Sequence, residues 1–159
     1  MSDPLVEAAS EIIGDSLRDI RTAAEGMSPE GLNWRPAGDD TNSIAVLVVH
    51  VLHSTRWWLS VATDAPAPDR DRPSEFTSRA TDASELLEFV DEMSAEFLRL
   101  LADAGDFDAG ASRTSRPSYG PPETVTAAWA LLHALEHLRE HVAHLQLTKQ
   151  LWEARGSSG

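Results

Sequence analysis

Six histidines are spread unevenly over the 159 residues of this chain. Four of them, His133, His137, His141 and His144, fall in one run of twelve residues, HALEHLREHVAH. On a helix turning about 100° per residue these four sit at about 0°, 40°, 80° and 20°, a single narrow stripe. His50 and His53 form a second pair, at the end of the apolar segment IAVLVVHVLH. An i, i+4 pair places two side chains about 6 Å apart on one helical face. Two imidazoles so placed can close on one metal ion with bonds of about 2.1 Å. His133/His137 and His137/His141 both have that spacing. A third ligand must come from another element, and His50 is the natural candidate. Such a donor set suits zinc first, with nickel, iron and copper as alternatives. Three protein ligands leave a coordination position for water or substrate, as in catalytic rather than structural sites.

Each of these residues also has a plainer reading. A lone helical histidine is more often a surface residue or a hydrogen-bonded core residue, and His53 and His144 keep that reading. Several packed together do not, because protonated imidazoles repel and each buried ring needs hydrogen-bond partners. Glu136 and Glu140 flank the stripe and could accept a ligand's second N–H. They could equally be solvated acids pairing with Arg139 or Lys149. The tryptophans read as core or interface, with Trp57 near the mouth of a pocket beside His50. No side chain stands out as a catalytic nucleophile.

The elements that must carry these residues are helical. Asp3-Pro4 opens the first helix, an N-cap acid followed by proline. Leu5, Ala8, Ile12, Ile13, Leu17, Ile20 and Ala24 then recur at three and four to about Glu25. Residues 26–42 are a connector of turn formers, from which Leu32 and Trp34 are expected to pack back on the bundle. The second helix runs from Asn42 or Ser43 to about Thr63. It is apolar nearly all round, which places it deep in the fold. Residues 64–80 form a long connection, with room for a short helical turn at 74–78. The third helix opens at Asp82 and carries Leu86, Leu87, Val90, Met93, Phe97, Leu98 and Leu101 to near Gly105. After a connection over 105–122, Pro121-Pro122-Glu123 is expected to start the last helix, ending near Trp152. No segment shows strand alternation. The expectation is one all-α domain, a four-helix bundle over residues 1–155, with a disordered tail at 156–159. Its long connections let consecutive helices run in the same direction.

Composition narrows the partners. A net charge of −13 with no Lys/Arg block repels phosphate backbones and anionic lipid, which argues against nucleic acid and membrane surfaces. No cysteine is present, so disulfides, thiolate ligands and a cysteine nucleophile are excluded. No run of about 18 apolar residues reads as a membrane span, and the N-terminus lacks the basic and apolar regions of a signal peptide. A cytoplasmic location is the expectation.

Two stretches resemble the DinB/YfiT-like superfamily of metal-binding four-helix bundles: LNWRPAGDDTNSIAVLVVHVLHSTRWWL (32–59) and HALEHLREHVAHLQLTKQL (133–151). That resemblance implies an up-down-down-up bundle, often a homodimer. It also implies one ligand on the second helix and an HxxxH pair on the last. Carried over residue by residue, these become His50, His137 and His141. The family often has glycine two residues after the second histidine of the pair, and this chain has Ala143. The resemblance further implies a divalent metal and, among known activities, transfer of low-molecular-weight bacterial thiols to small electrophiles, isomerisation of a thiol adduct, or hydrolysis. The competing expectation is a non-catalytic metal-binding stress or ligand-binding protein.

Overall fold

The computed structural model describes residues 3–115 and 122–156. Six helices and one small hairpin appear among them: α1 (Pro4–Ala24), α2 (Pro29–Asn33), α3 (Ile44–Thr63), α4 (Arg72–Glu75), α5 (Ala83–Ala102), β1 (Ser112–Ser115), β2 (Glu123–Thr126) and α6 (Ala127–Gly156). The helix starts follow from local chemistry. Asp3 accepts from the Leu5 N–H at 2.8 Å, Ser43 from Val46 at 3.2 Å and Asp82 from Glu85 at 2.9 Å. Each satisfies a backbone donor that a helix leaves orphaned at its first turn. Gly26 takes a φ of 72° just beyond α1, the left-handed conformation that stops a helix and suits glycine.

The long helices α1, α3, α5 and α6 form the bundle. α3 and α1 each pack between α5 and α6. Along α3 and α6 the pairings run in opposite senses: His50 meets His137 and His141, and Trp58 meets His133 and Trp129. Along α3 and α5 they run together, from His53 on Phe89 to Arg56 on Glu96. α1 and α5 oppose, with Arg21 at Asp91 while Val6 and Ser10 share a groove with Leu98 and Ala102. The core is continuous through Ile13, Ile20, Ile44, Leu52, Leu59, Phe97, Leu131 and Leu138. The segment Gly38–Thr63 is long and apolar enough to cross a membrane by composition alone, but 78% of the 18-residue stretch that qualifies, of mean hydropathy 1.3, is buried inside the bundle. Its apolarity is used by the core.

The last helix begins later than its prolines suggest. Residues 123–126 pair antiparallel with 112–115, Thr126 opposite Ser112. Thr124, Val125 and Thr126 are β-branched and favour the extended chain. The Thr126 hydroxyl then accepts from the Trp129 N–H at 3.1 Å and starts α6, in place of Pro122 and Glu123. Pro121 lies outside the described residues. The expected turn at 74–78 sits slightly earlier, as α4, capped by Asp71. Gly156 closes α6 rather than opening a tail, and 157–159 lie outside the described residues. Three residues of the α1 and α5 stripes face outward: Ala8, Ile12 at 40% exposure and Leu98 at 51%.

Candidate metal centre

α3 carries His50 into the bundle, 6% exposed, one turn after Leu47. α6 presents His137 and His141 one turn apart on the face that packs against α3. Their ring centroids lie 5.3 and 5.0 Å from that of His50, and 4.4 Å from each other. One ring nitrogen from each of the three falls within 4.8 Å of the others. The Nε2 atoms of His137 and His141 are 3.2 Å apart. Two nitrogens bonded at about 2.1 Å to one ion, at 90–110°, would be separated by about 3.0–3.4 Å. The pair therefore has the separation of two ligands on one metal.

Both rings remain short of partners at their other nitrogen, and an ion on the two Nε2 atoms would leave each Nδ1–H so as well. The Nδ1 atoms of both rings are buried with no partner among the described residues. A buried polar group without a partner costs about 1–3 kcal/mol. Burial, followed by the neighbouring His141, His50, His133 and Arg70, pushes His137 down to about 3. Burial, followed by His50 and His144, pushes His141 down to about 4. Both rings are thus uncharged at neutral pH and keep a lone pair for a cation. The donor set, its spacing and its protonation state fit a divalent metal ion of the nitrogen-preferring kind.

His50 is held differently. Its Nδ1–H donates to Glu75 Oε2 at 2.8 Å, which leaves Nε2 as the nitrogen it can offer. Glu75 sits on α4 and is 1% exposed. Arg70 clamps it with a fork, Nε to Oε1 at 2.7 Å and Nη2 to Oε2 at 2.9 Å. Burial raises the Glu75 carboxyl, but hydrogen bonds from His50, His53 and Arg70, with the Arg70 charge, outweigh it and hold it well below the usual carboxylate range. Glu75 is the residue that the sequence pattern does not reveal. The acids expected in that role do not fill it: Glu140 is exposed, and Glu136 faces His133 Nδ1 at 3.4 Å. Arg139 pairs with Asp19 across to α1, and Lys149 with Glu153.

The remaining histidines flank the centre. His53 Nδ1 lies 3.5 Å from Glu75 Oε1, with its ring edge-on to Phe89. His133 stacks on Trp129 at 4.8 Å and meets Trp58 edge-on at 4.6 Å. Trp57 is buried against Trp58 rather than beside His50. With His137 and His141 these side chains make a row of rings running along the α3–α6 seam. At its far end the His144 ring is 5.5 Å from that of His141. There a groove of about 230 Å³ opens between Pro36, Leu47, His144, Leu147, Thr148 and Leu151.

Comparisons with known proteins agree with this architecture. The sequence model of the DinB superfamily matches residues 14–145. A crystal structure of a conserved protein from Enterococcus faecalis superposes with a TM-score of 0.73, covering 97% of this chain and 99% of that one. At 15% identity that likeness is one of fold. No curated protein matches. A bundle with three imidazoles converging between α3 and α6, matched by the superfamily's sequence pattern over most of its length, belongs to the DinB superfamily.

Proposed function

We propose that this protein binds one divalent metal ion through His50, His137 and His141, zinc in the first instance. We further propose that it is an enzyme of thiol-dependent transferase or hydrolase type, acting on a small electrophilic molecule. The observation that carries this reading is the 3.2 Å separation of two uncharged Nε2 atoms, facing the one free nitrogen of His50. A bound divalent ion lowers the pKa of a coordinated water or thiol, so that a nucleophile is available near neutral pH. The chain's own residues supply the rest. The three imidazoles take up three positions and leave another for a small ligand. Burial keeps His137 and His141 unprotonated, so no proton need be expelled before binding. The groove beginning at His144 lies one turn from the ligands on both helices and offers an apolar wall to a small organic molecule. Because the chain has no cysteine, any thiol must come from solution. The working form proposed is a cytoplasmic homodimer, on the strength of the family resemblance, which light scattering checks.

The test is direct. Elemental analysis of the purified protein, then assays of the zinc-, nickel- and iron-loaded forms with low-molecular-weight thiols and aryl halide or epoxide electrophiles, should show metal-dependent turnover. Equal turnover in wild type and His137→Ala would sink the enzymatic reading. Tight metal binding without turnover on any of these substrates would favour the non-catalytic alternative.

A further inference from the structure

We infer that Glu75, clamped by Arg70, is a positioning residue for the metal centre: it fixes which nitrogen His50 presents and the plane in which the ring presents it. The inference rests on the metal-site reading above. Burying a carboxylate in a short connector helix is costly unless it is paired and saturated with hydrogen bonds. Glu75 is saturated on both oxygens. Oε2 receives His50 Nδ1–H and Arg70 Nη2, while Oε1 receives Arg70 Nε and faces His53. An ionised carboxylate accepts and cannot donate. His50 is therefore restricted to the tautomer with hydrogen on Nδ1 and the lone pair on Nε2. The next residue holds the face of the ring: the Phe76 ring lies 4.9 Å from His50 at 38°. Phe76 is itself pinned, because its carbonyl accepts from Arg35 Nη2 at 2.9 Å.

The contrast within the triad supports this assignment. Among the described residues His137 and His141 have no such partner on Nδ1, and their placement comes from helical spacing and the neighbouring rings of the row. His50 stands alone on the opposite helix, so its direction must be set by something outside α3. Arg70 and Glu75 lie five residues apart in the same connector, so their pair orders the connector itself, and the bond from Glu75 to His50 is the one that reaches α3.

The experiment uses the full chain. Long-range ¹H–¹⁵N NMR of the metal-free protein reads the His50 tautomer, and competition with a chromogenic chelator reads zinc affinity. Wild type should show His50 protonated on Nδ1. In Glu75→Gln, Arg70 retains the amide oxygen and turns the NH₂ group toward His50, which should move the proton to Nε2. Zinc affinity should then fall about 10–100-fold, the usual cost of losing such a support. Cobalt(II) bound to this variant should show a shifted d–d spectrum. Glu75→Asp, which keeps an acceptor-only group, should retain the tautomer and recover part of the affinity. An unprotonated Nδ1 on His50 in wild type overturns the inference without any variant. So does a folded Glu75→Gln protein with unchanged tautomer and zinc affinity within twofold of wild type. If wild type bound no metal, the proposed function would fall while the tautomer comparison still decided the role of Glu75.

Discussion

The imidazoles of His137 and His141 are asked to stay uncharged in a site where both Nδ1 atoms lack partners. Their pKa values are pushed from 6.5 to about 3 and about 4, so the folded state resists protons that the unfolded chain accepts. Stability is full above pH 6.5 and is lost as pH falls, down to about 4 for His141 and about 3 for His137. Each group would contribute a slope of up to about 1.4 kcal/mol per pH unit, reduced by partial exposure. Urea unfolding of metal-free protein at pH 7 and pH 5 should show a loss of about 2 kcal/mol from the two groups together. His141→Ala should flatten that dependence. At the same scale, calorimetric zinc titration should lose binding in His50→Ala, His137→Ala and His141→Ala but keep it in His144→Ala. Retained binding in His141→Ala would shift the ligand set toward His133. The histidine cluster was readable in the sequence because histidines spaced by four on one helix, with another in an apolar run, have few other uses, while the choice of His137 and His141 over His133 came from the family resemblance. Glu75 was not, because it acts on a residue 25 positions away from inside an irregular connector. Neither periodicity nor spacing marks such a residue. Glu136 and Glu140 were the visible candidates only because they share α6 with His137 and His141.

At the scale of elements, the stripes of α1 and α5 and the all-round apolarity of α3 lead from sequence to helix without ambiguity. The start of α6 does not. Pro122 and Glu123 are acceptable at a helix N-terminus, yet the β-branched residues that follow pair with the preceding strand β1, Thr126 opposite Ser112. Tertiary pairing decides what local preference leaves open. α2 shows a tighter constraint. A Cβ added at Gly31 would lie 2.7 Å from Trp152 Nε1 and 2.9 Å from Met27 Cε. Met27 can yield, but Trp152 is wedged between Trp34, 5.6 Å away, and Arg155, whose guanidinium stands 4.8 Å over the ring. Gly31→Ala should therefore push the C-terminal end of α6 off α2 and cost about 1–3 kcal/mol, the range for overpacking. Thermal melting checks this, and an unchanged Tm would show that Trp152 can re-seat freely.

Across the whole molecule, α3 binds the other parts together. It packs on both α5 and α6, and its His50 also reaches the connector through Glu75. The ring row along its seam with α6 passes from Trp57 to Trp58, His133, His137, His141 and His144, with successive centroids 4.8, 4.6, 6.1, 4.4 and 5.5 Å apart. This row makes the centre optically visible from within. An open-shell ion such as copper(II) at the three histidines would sit within a few ring widths of Trp58, close enough to drain its excited state. Titration with copper(II) should quench the intrinsic tryptophan emission to saturation at one equivalent. Zinc, with a filled d shell, should leave it far less affected. His137→Ala should abolish the saturable quenching, and Trp58→Phe should reduce its depth while leaving the equivalence point in place. The fold thus carries its own light-emitting gauge of site occupancy, in which metal affinity can be measured without any attached dye.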